Sequence, residues 1–389
     1  MPFASTNRVA LRQSKETVFG VINTSPVFTD TRFTGESLNY NLSNVVSEEI
    51  RSDRMTSDLV QVQSDASGDL NIELSYDSYD DFLEGAFAST FGTDIGISAA
   101  NDIATTAPNL IISTTTDFVA SGIVVGQWIK RTGAVAGNNN GYFRVTAVSA
   151  NQITTNVSTI TTEGVAASSD ITGSMIRNGT TLSSFTVQKH LQDATTPAFI
   201  NFFGSRVGGQ SLNFSSGQIL TGSFSFMALG AVVNAAQEAG ATINPASTTG
   251  VMNAVTNVVN ILEDDVASTS TFSSLTMNVN NGLRAQDGIG SLPHVGIALS
   301  RLEVSGDISL YFEDATAYNK YLNATAFSLS FRLQDAAGNA YIYTLPNVKF
   351  ESGSVTAGGL DQDVMLDGSW RAILDPTTNC MIQLDKFAA

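Results

Sequence analysis

The sequence predicts a mainly β protein: two tandem β-sandwich domains, each with one short flanking α-helix, plus a small all-β module inserted into the first. Three observations carry this expectation. Apolar and polar residues alternate over many short runs, which is the period of a half-buried strand. Thr, Ser, Asn and Gly are abundant, a composition that suits sheets and turns better than long helices. One strand–corner–helix segment also occurs twice.

Its first copy is Ser67–Phe87, SGDLNIELSYDSYDDFLEGAF. Leu70, Ile72, Leu74 and Tyr76 alternate as in a strand, after which the period changes. Tyr79, Phe82, Leu83, Ala86 and Phe87 fall on one face of a helix, so Tyr79, Phe82 and Leu83 are expected in the core. Asp77 or Ser78 can cap that helix, and Asp80 and Asp81 lie where its dipole favours negative charge. The second copy, Ser305–Phe327, repeats Ser-Gly-Asp and the alternation, and Thr316 offers the cap. Its helix places Tyr318, Tyr321 and Leu322 where the first has Tyr79, Phe82 and Leu83, and predicts them in a second core.

Taken in order, residues 1–36 read as an extended N-terminal arm with weak strand character at Val18–Ile22, able to pair with a neighbouring subunit or to remain a mobile terminus. The first domain spans 37–96 and 180–232. It opens with strands at Ser37–Leu42 and Leu59–Val62 around a charged corner, in which Glu48, Glu49, Arg51, Asp53 and Arg54 are either solvated or candidates for inter-subunit pairing. Residues 97–179 form the inserted module. Charges almost vanish there, and Asn140-Gly141 before Tyr142–Val145 is a hairpin signal.

The sequence after the insert resumes a pattern that the second copy runs without interruption. His190–Ala194 matches Arg332–Ala336, and Ile219–Phe224 matches Met365–Trp370. Upstream, Ser37–Leu42 aligns with Ser274–Val279. Residues 233–270 read as a linker, within which Val251–Leu262 is a strand or a short helix, and 271–389 as the second domain.

Charged residues make up 14% of the chain, and 19 basic against 36 acidic side chains give a net charge of −17. That balance argues against a nucleic-acid-gripping surface, which needs clustered Lys and Arg. The single cysteine, Cys380, excludes an intrachain disulfide and a cysteine-based zinc site. No apolar run is long enough to span a bilayer, and the first residues lack an apolar signal core, so neither membrane insertion nor export is expected.

No catalyst, cofactor or metal site is expected from the sequence. His190 and His294 lack a serine nucleophile or a second histidine at ligand spacing, and no phosphate-binding loop is present. Asp361, Asp363 and Asp367-Gly368 resemble half a calcium loop but lack its central glycine and final glutamate, and fit a hairpin turn better.

The segments SEEIRSDR, DLVQV and SGDLNIELSYDSYDDFLEGAF, with an insert built as GIVVGQWIKRTG…NNGYFRVTAV…IRNGTT, resemble the tail tube (major tail) proteins of long-tailed, siphovirus-like bacteriophages. The resemblance implies a structural virion protein, made in the host cytoplasm, whose strands join those of neighbouring subunits in stacked rings that conduct DNA. Single-domain members form hexameric rings, so a chain with two such domains is expected to close a ring of about three copies. It also implies tape-measure, tail terminator and tip proteins as partners, DNA passing without specific binding, and no membrane. Asn39, Asn41, Gln61, Gln63 and Asp363 are candidates to line the lumen. The competing readings are a β-rich secreted or surface adhesin and a carbohydrate-active enzyme. The first is disfavoured by the missing export signal, the second by the absence of a clustered acidic and aromatic groove.

Overall fold

A computed structural model describes residues 4–389. The alternating runs become strands, which hold 50% of the chain and leave α1 (Asp80–Phe87) and α2 (Thr316–Leu322) as the α-helices of the described residues. Backbone pairing links 26 strands into one network, and a separate two-stranded ribbon joins Arg284–Gln286 to Gly296–Ala298.

Eight strands of that network matter most: β1 (Asn39–Val46), β2 (Leu59–Glu73), β3 (Ala198–Ser215), β4 (Thr221–Ala228), β5 (Phe272–Asn280), β6 (Glu303–Tyr311), β7 (Ser354–Ala357) and β8 (Val364–Ala372). They lie side by side, antiparallel, in the order β1-β2-β4-β3-β5-β6-β8-β7. Side chains alternate between the two faces of a sheet. One face carries Leu70, Phe224, Leu212, Met277, Leu310 and Trp370, all buried in a core that runs under all but the outermost strands. The other face is polar.

Over the apolar face lies a second layer. Val9–Lys15 pairs with Val27–Thr31 on one side and with Phe185–Leu191 on the other, and the first half of β3 continues that layer. Beyond it, Val258–Glu263, Phe327–Gln334, Ala340–Phe350 and the C-terminal strand Gln383–Phe387 pair in succession. The segment expected to be an inserted module packs around a separate core of Ile103, Ile111, Phe118, Ile129 and Ile153. Its last strand, Ser169–Arg177, serves both bodies. Ser169–Gly173 pairs inside the module, whereas Ser174–Arg177 pairs with the C-terminal strand and buries Ile176 in the main core.

Several expectations change. The first 36 residues are not a free arm: Val9–Lys15 is hydrogen-bonded along its length to Phe185–Leu191 of the same chain, and Val18–Ile22 is turn rather than strand. Met1–Phe3 of that segment lie outside the described residues. Val258–Glu263, assigned to the linker, is a strand packed on Phe327–Gln334. The module cannot end cleanly at 179, because the main body uses its last four strand residues. Asn140-Gly141 is not a two-residue hairpin turn. Gly141 already pairs with Arg131, and the Asn140 amide instead holds the preceding loop through Ala134 and Ala136.

Pairing also shifts one alignment. Asn39 stands opposite Ser67 and Asn278 opposite Ser305, which equates Ser37 with Thr276 rather than Ser274. A two-residue slip keeps every side chain on its face, so alternation alone could not reveal it.

Candidate assembly surfaces

Strands β1 and β7 end the eight-stranded sheet, and each pairs on one side only among the described residues. Their outer amides and carbonyls form edges of the kind that recruit another strand unless covered. Both edges are solvent-exposed over most of their length.

Past Ser43, β1 and the start of β2 leave the body as a hairpin exposed on both faces. Val45 stands opposite Val60 and Val46 opposite Leu59, with Ile50 and Met55 at the tip, and no element among the described residues covers them. The charged corner sits on this tip. Arg51 donates to both Asp53 oxygens, from Nε at 3.0 Å and Nη2 at 2.6 Å, which lowers the Asp53 pKa and raises that of Arg51. Both side chains lie in the solvent-exposed tip, so the pair orders the tip more than it stabilises the fold. Glu48, Glu49 and Arg54 project without an ion pair among the described residues. The five residues therefore share a tip but do not converge on one point.

The polar face of the sheet carries Asp69, Asn71, Asn213, Ser223, Asp307 and Asp367. Asn39 and Asn41 stand opposite Ser67 and Asp65 on this face, and Gln61 and Gln63 extend it into the hairpin, whereas Asp363 lies in the turn between β7 and β8.

The two helical corners use different caps from those expected. At α1 the N-cap position is Tyr79, without a side-chain cap. Ser78 Oγ is engaged with Ser75 Oγ at 2.7 Å, and Asp77 accepts from Lys386 Nζ at 2.6 Å. Asp80 accepts from both Lys386 and the Tyr341 hydroxyl. Burial raises the Asp80 pKa despite the opposing Lys386 charge, and burial with the Asp80 charge raises that of Tyr341. Burial works against the Lys386 ammonium, but Asp80 and Asp77 outweigh it and shift its pKa upward. This cluster bolts α1 to the C-terminal strand. Sequence reasoning missed it, because no local pattern relates residues so far apart. At α2, Asp314 rather than Thr316 supplies the cap, accepting from the Thr316 amide at 2.6 Å.

The helix faces also differ. Tyr79, Phe82 and Leu83 are buried, and the Tyr79 hydroxyl donates to Arg32 and Glu73 carbonyls. Tyr318 is half-buried and packs on the edge of the main core, Tyr321 is half-buried and Leu322 is 59% exposed, so the second predicted core face is only partly covered within the chain.

Of the two histidines, His190 stacks on Phe199 at 4.0 Å, and burial lowers its pKa. His294 is held between Asp287 at 2.6 Å and Asp65 at 3.3 Å. Among the described residues no group of His, Cys, Asp and Glu is arranged to hold a metal ion. Asp385 is fully buried in the C-terminal strand, where it accepts from the Trp128 amide at 3.1 Å and Gln383 Nε2 at 2.6 Å. Burial pushes its pKa up to about 7. Its role is structural: it fastens the module to the main body.

Open edges and a projecting hairpin are surfaces suited to contact with further strands. The sequence model of the phage tail tube protein family matches residues 6–372, nearly the whole chain. The chain belongs to the phage tail tube protein family. No curated protein matches it. As a tail tube protein it is a non-enzymatic structural component of the virion tail that self-assembles into a tube. The C-terminal strand Gln383–Phe387, with its Lys386 and Asp385 contacts, lies beyond the matched residues of this tail tube protein.

Proposed function

We propose that this tail tube protein contributes two tube units per chain, and that three chains close each ring of the DNA conduit. The observation that carries this reading is the strand order. The first half of the sheet runs β1-β2-β4-β3, and the second runs β5-β6-β8-β7, the same arrangement repeated and joined where β3 pairs with β5. Matching hydrogen bonds support the repeat. Ser211 and Ser223 hydroxyls meet at 2.8 Å, as Ser352 and Ser369 hydroxyls do at 2.7 Å. The Asp69 amide donates to Ser37 Oγ and the Asp307 amide to Thr276 Oγ1, both at 2.8 Å.

On this reading the first unit begins at about Val9 and the second at about Val258, since Val9–Lys15 and Val258–Glu263 take the same place beside Phe185–Leu191 and Phe327–Gln334. Three eight-stranded sheets joined edge to edge make a closed wall of about 24 strands. The polar face then lines the lumen. A net charge of −17 and the acidic residues of that face repel the DNA backbone, so the duplex slides rather than sticks. The inserted module, fastened to the second layer, points away from the lumen. Tape-measure, terminator and tip proteins are the partners expected at the lumen and the tube ends.

Electron microscopy of the purified protein tests the reading. Hollow tubes or rings with three-fold symmetry are expected. A monomer that persists at high protein concentration, or a ring with another number of chains, overturns it.

A further inference from the structure

We propose that the seam between neighbouring chains pairs residues 35–41 of one copy antiparallel with residues 350–356 of the next, in the register that places Ser37 opposite Ser354 and Asn39 opposite Ser352. The proposal rests on the ring reading above and adds the partner strand and its register.

The chain contains one finished example of such a seam. At the junction of the two halves, Ser211 pairs with Asn278, Asn213 with Thr276 and Ser215 with Ser274. Each side of that junction has a counterpart on a free edge. Ser211 corresponds to Ser352, because each meets the β4 or β8 serine across from it, and Ser223 and Ser369 amides donate to them, both at 3.1 Å. Asn213 therefore corresponds to Ser354, since they stand opposite Thr221 and Asp367 respectively. On the other side Thr276 corresponds to Ser37 by the hydrogen bond each makes to the Asp307 or Asp69 amide. Transferring the junction onto the free edges yields one register, with no freedom to slide.

The occupant of each edge is thus a second copy of this chain. Neither edge has a strand partner among the described residues. On the first, the Leu38 amide and carbonyl are held by the Glu36 and Lys189 side chains and the Tyr40 amide by that of Asn39, and strand pairing exchanges these local bonds for ladder bonds. Val355, 38% exposed, becomes covered as Phe214 is covered at the internal junction.

Disulfide trapping tests the register. Directly opposed residues hold their Cβ atoms about 4.5–5.5 Å apart, whereas a diagonal displacement of two residues opens the pair to about 7–8 Å, beyond easy disulfide reach. Assembled Ser37→Cys/Ser354→Cys protein, oxidised and run on a denaturing gel, is expected to give covalent dimers and trimers. Ser37→Cys/Ser352→Cys is expected to give at least tenfold less, and each single variant only monomer, which controls for buried Cys380. If the variants form normal three-fold tubes but cross-link best in the displaced pair, or not at all, the seam is wrong while the ring reading stands. If wild-type protein forms no rings or tubes, both fall.

Discussion

Helices α1 and α2 carry aromatic and leucine residues at the same spacing after similar strands, yet Phe82 is 2% exposed and Leu322 59%. Phe82 meets Phe185, Phe224 and Phe226 with ring centroids 5.0–5.6 Å apart. Gly85 lets α1 approach so closely that a Cβ there would come within 2.6 Å of Val207. The C-terminal strand then fixes α1 from outside through Lys386. Nothing equivalent among the described residues covers α2, which rests on Ala340–Phe350 and is tied at Lys320 to Glu263 at 2.5 Å. The same pattern can therefore produce a core helix or a surface helix. Spacing decides which residues share a face, and burial depends on what other segments are available to cover it.

Phe82 is where the two helices should differ most. Phe82→Ala removes a fully packed ring and is expected to cost about 3–5 kcal/mol, read by denaturant unfolding. A loss below about 1 kcal/mol would mean that the aromatic cluster repacks and that α1 is no more embedded than α2.

The fastening strand gives a prediction that depends on pH. Asp385 has a folded pKa raised to about 7, well above that of an unfolded aspartate near 4. Between those values the unfolded chain has lost the proton that the folded chain keeps, so its contribution to stability is full below about pH 4 and declines as pH rises toward 7. Asp385→Asn keeps an acceptor for the Trp128 amide and cannot ionise. The stability difference between variant and wild type should therefore shift in the variant's favour by up to about 3 kcal/mol from pH 4 to pH 8. A difference that is constant over that range would place the Asp385 carboxylate in contact with water.

The smallest effect is expected at Leu322. Leu322→Ala should cost less than about 1 kcal/mol in the isolated chain, because the side chain already faces solvent. If its melting is unchanged but tube formation weakens, α2 is an assembly surface, and the contrast with α1 becomes one between a face covered within the chain and a face covered by a neighbour.

Much of this organisation was legible from residues near one another in sequence. The Leu70–Tyr76 alternation, the helix after Tyr79 and the recurrence of both near Ser305 are local periodicities, and local periodicity survives without knowledge of partners. The β-rich class followed from composition and spacing in the same way. The edge of the inserted module was less legible, because Ser169–Arg177 alternates without a break while its two ends belong to different bodies.

Local sequence was enough for the β-rich class, for which residues of the main strands and of α1 share a face, and for the family to which the chain belongs. Tertiary structure alone decided that Val9–Lys15 is a central strand of the second layer, that Asn39 stands opposite Ser67 and Asn278 opposite Ser305, that Lys386 reaches Asp80, and that Leu322 remains exposed. The physical reason is common to all four. Periodicity is written in neighbouring residues, whereas register, ion pairing and burial are properties of two segments brought together, and neither segment encodes the other's position alone.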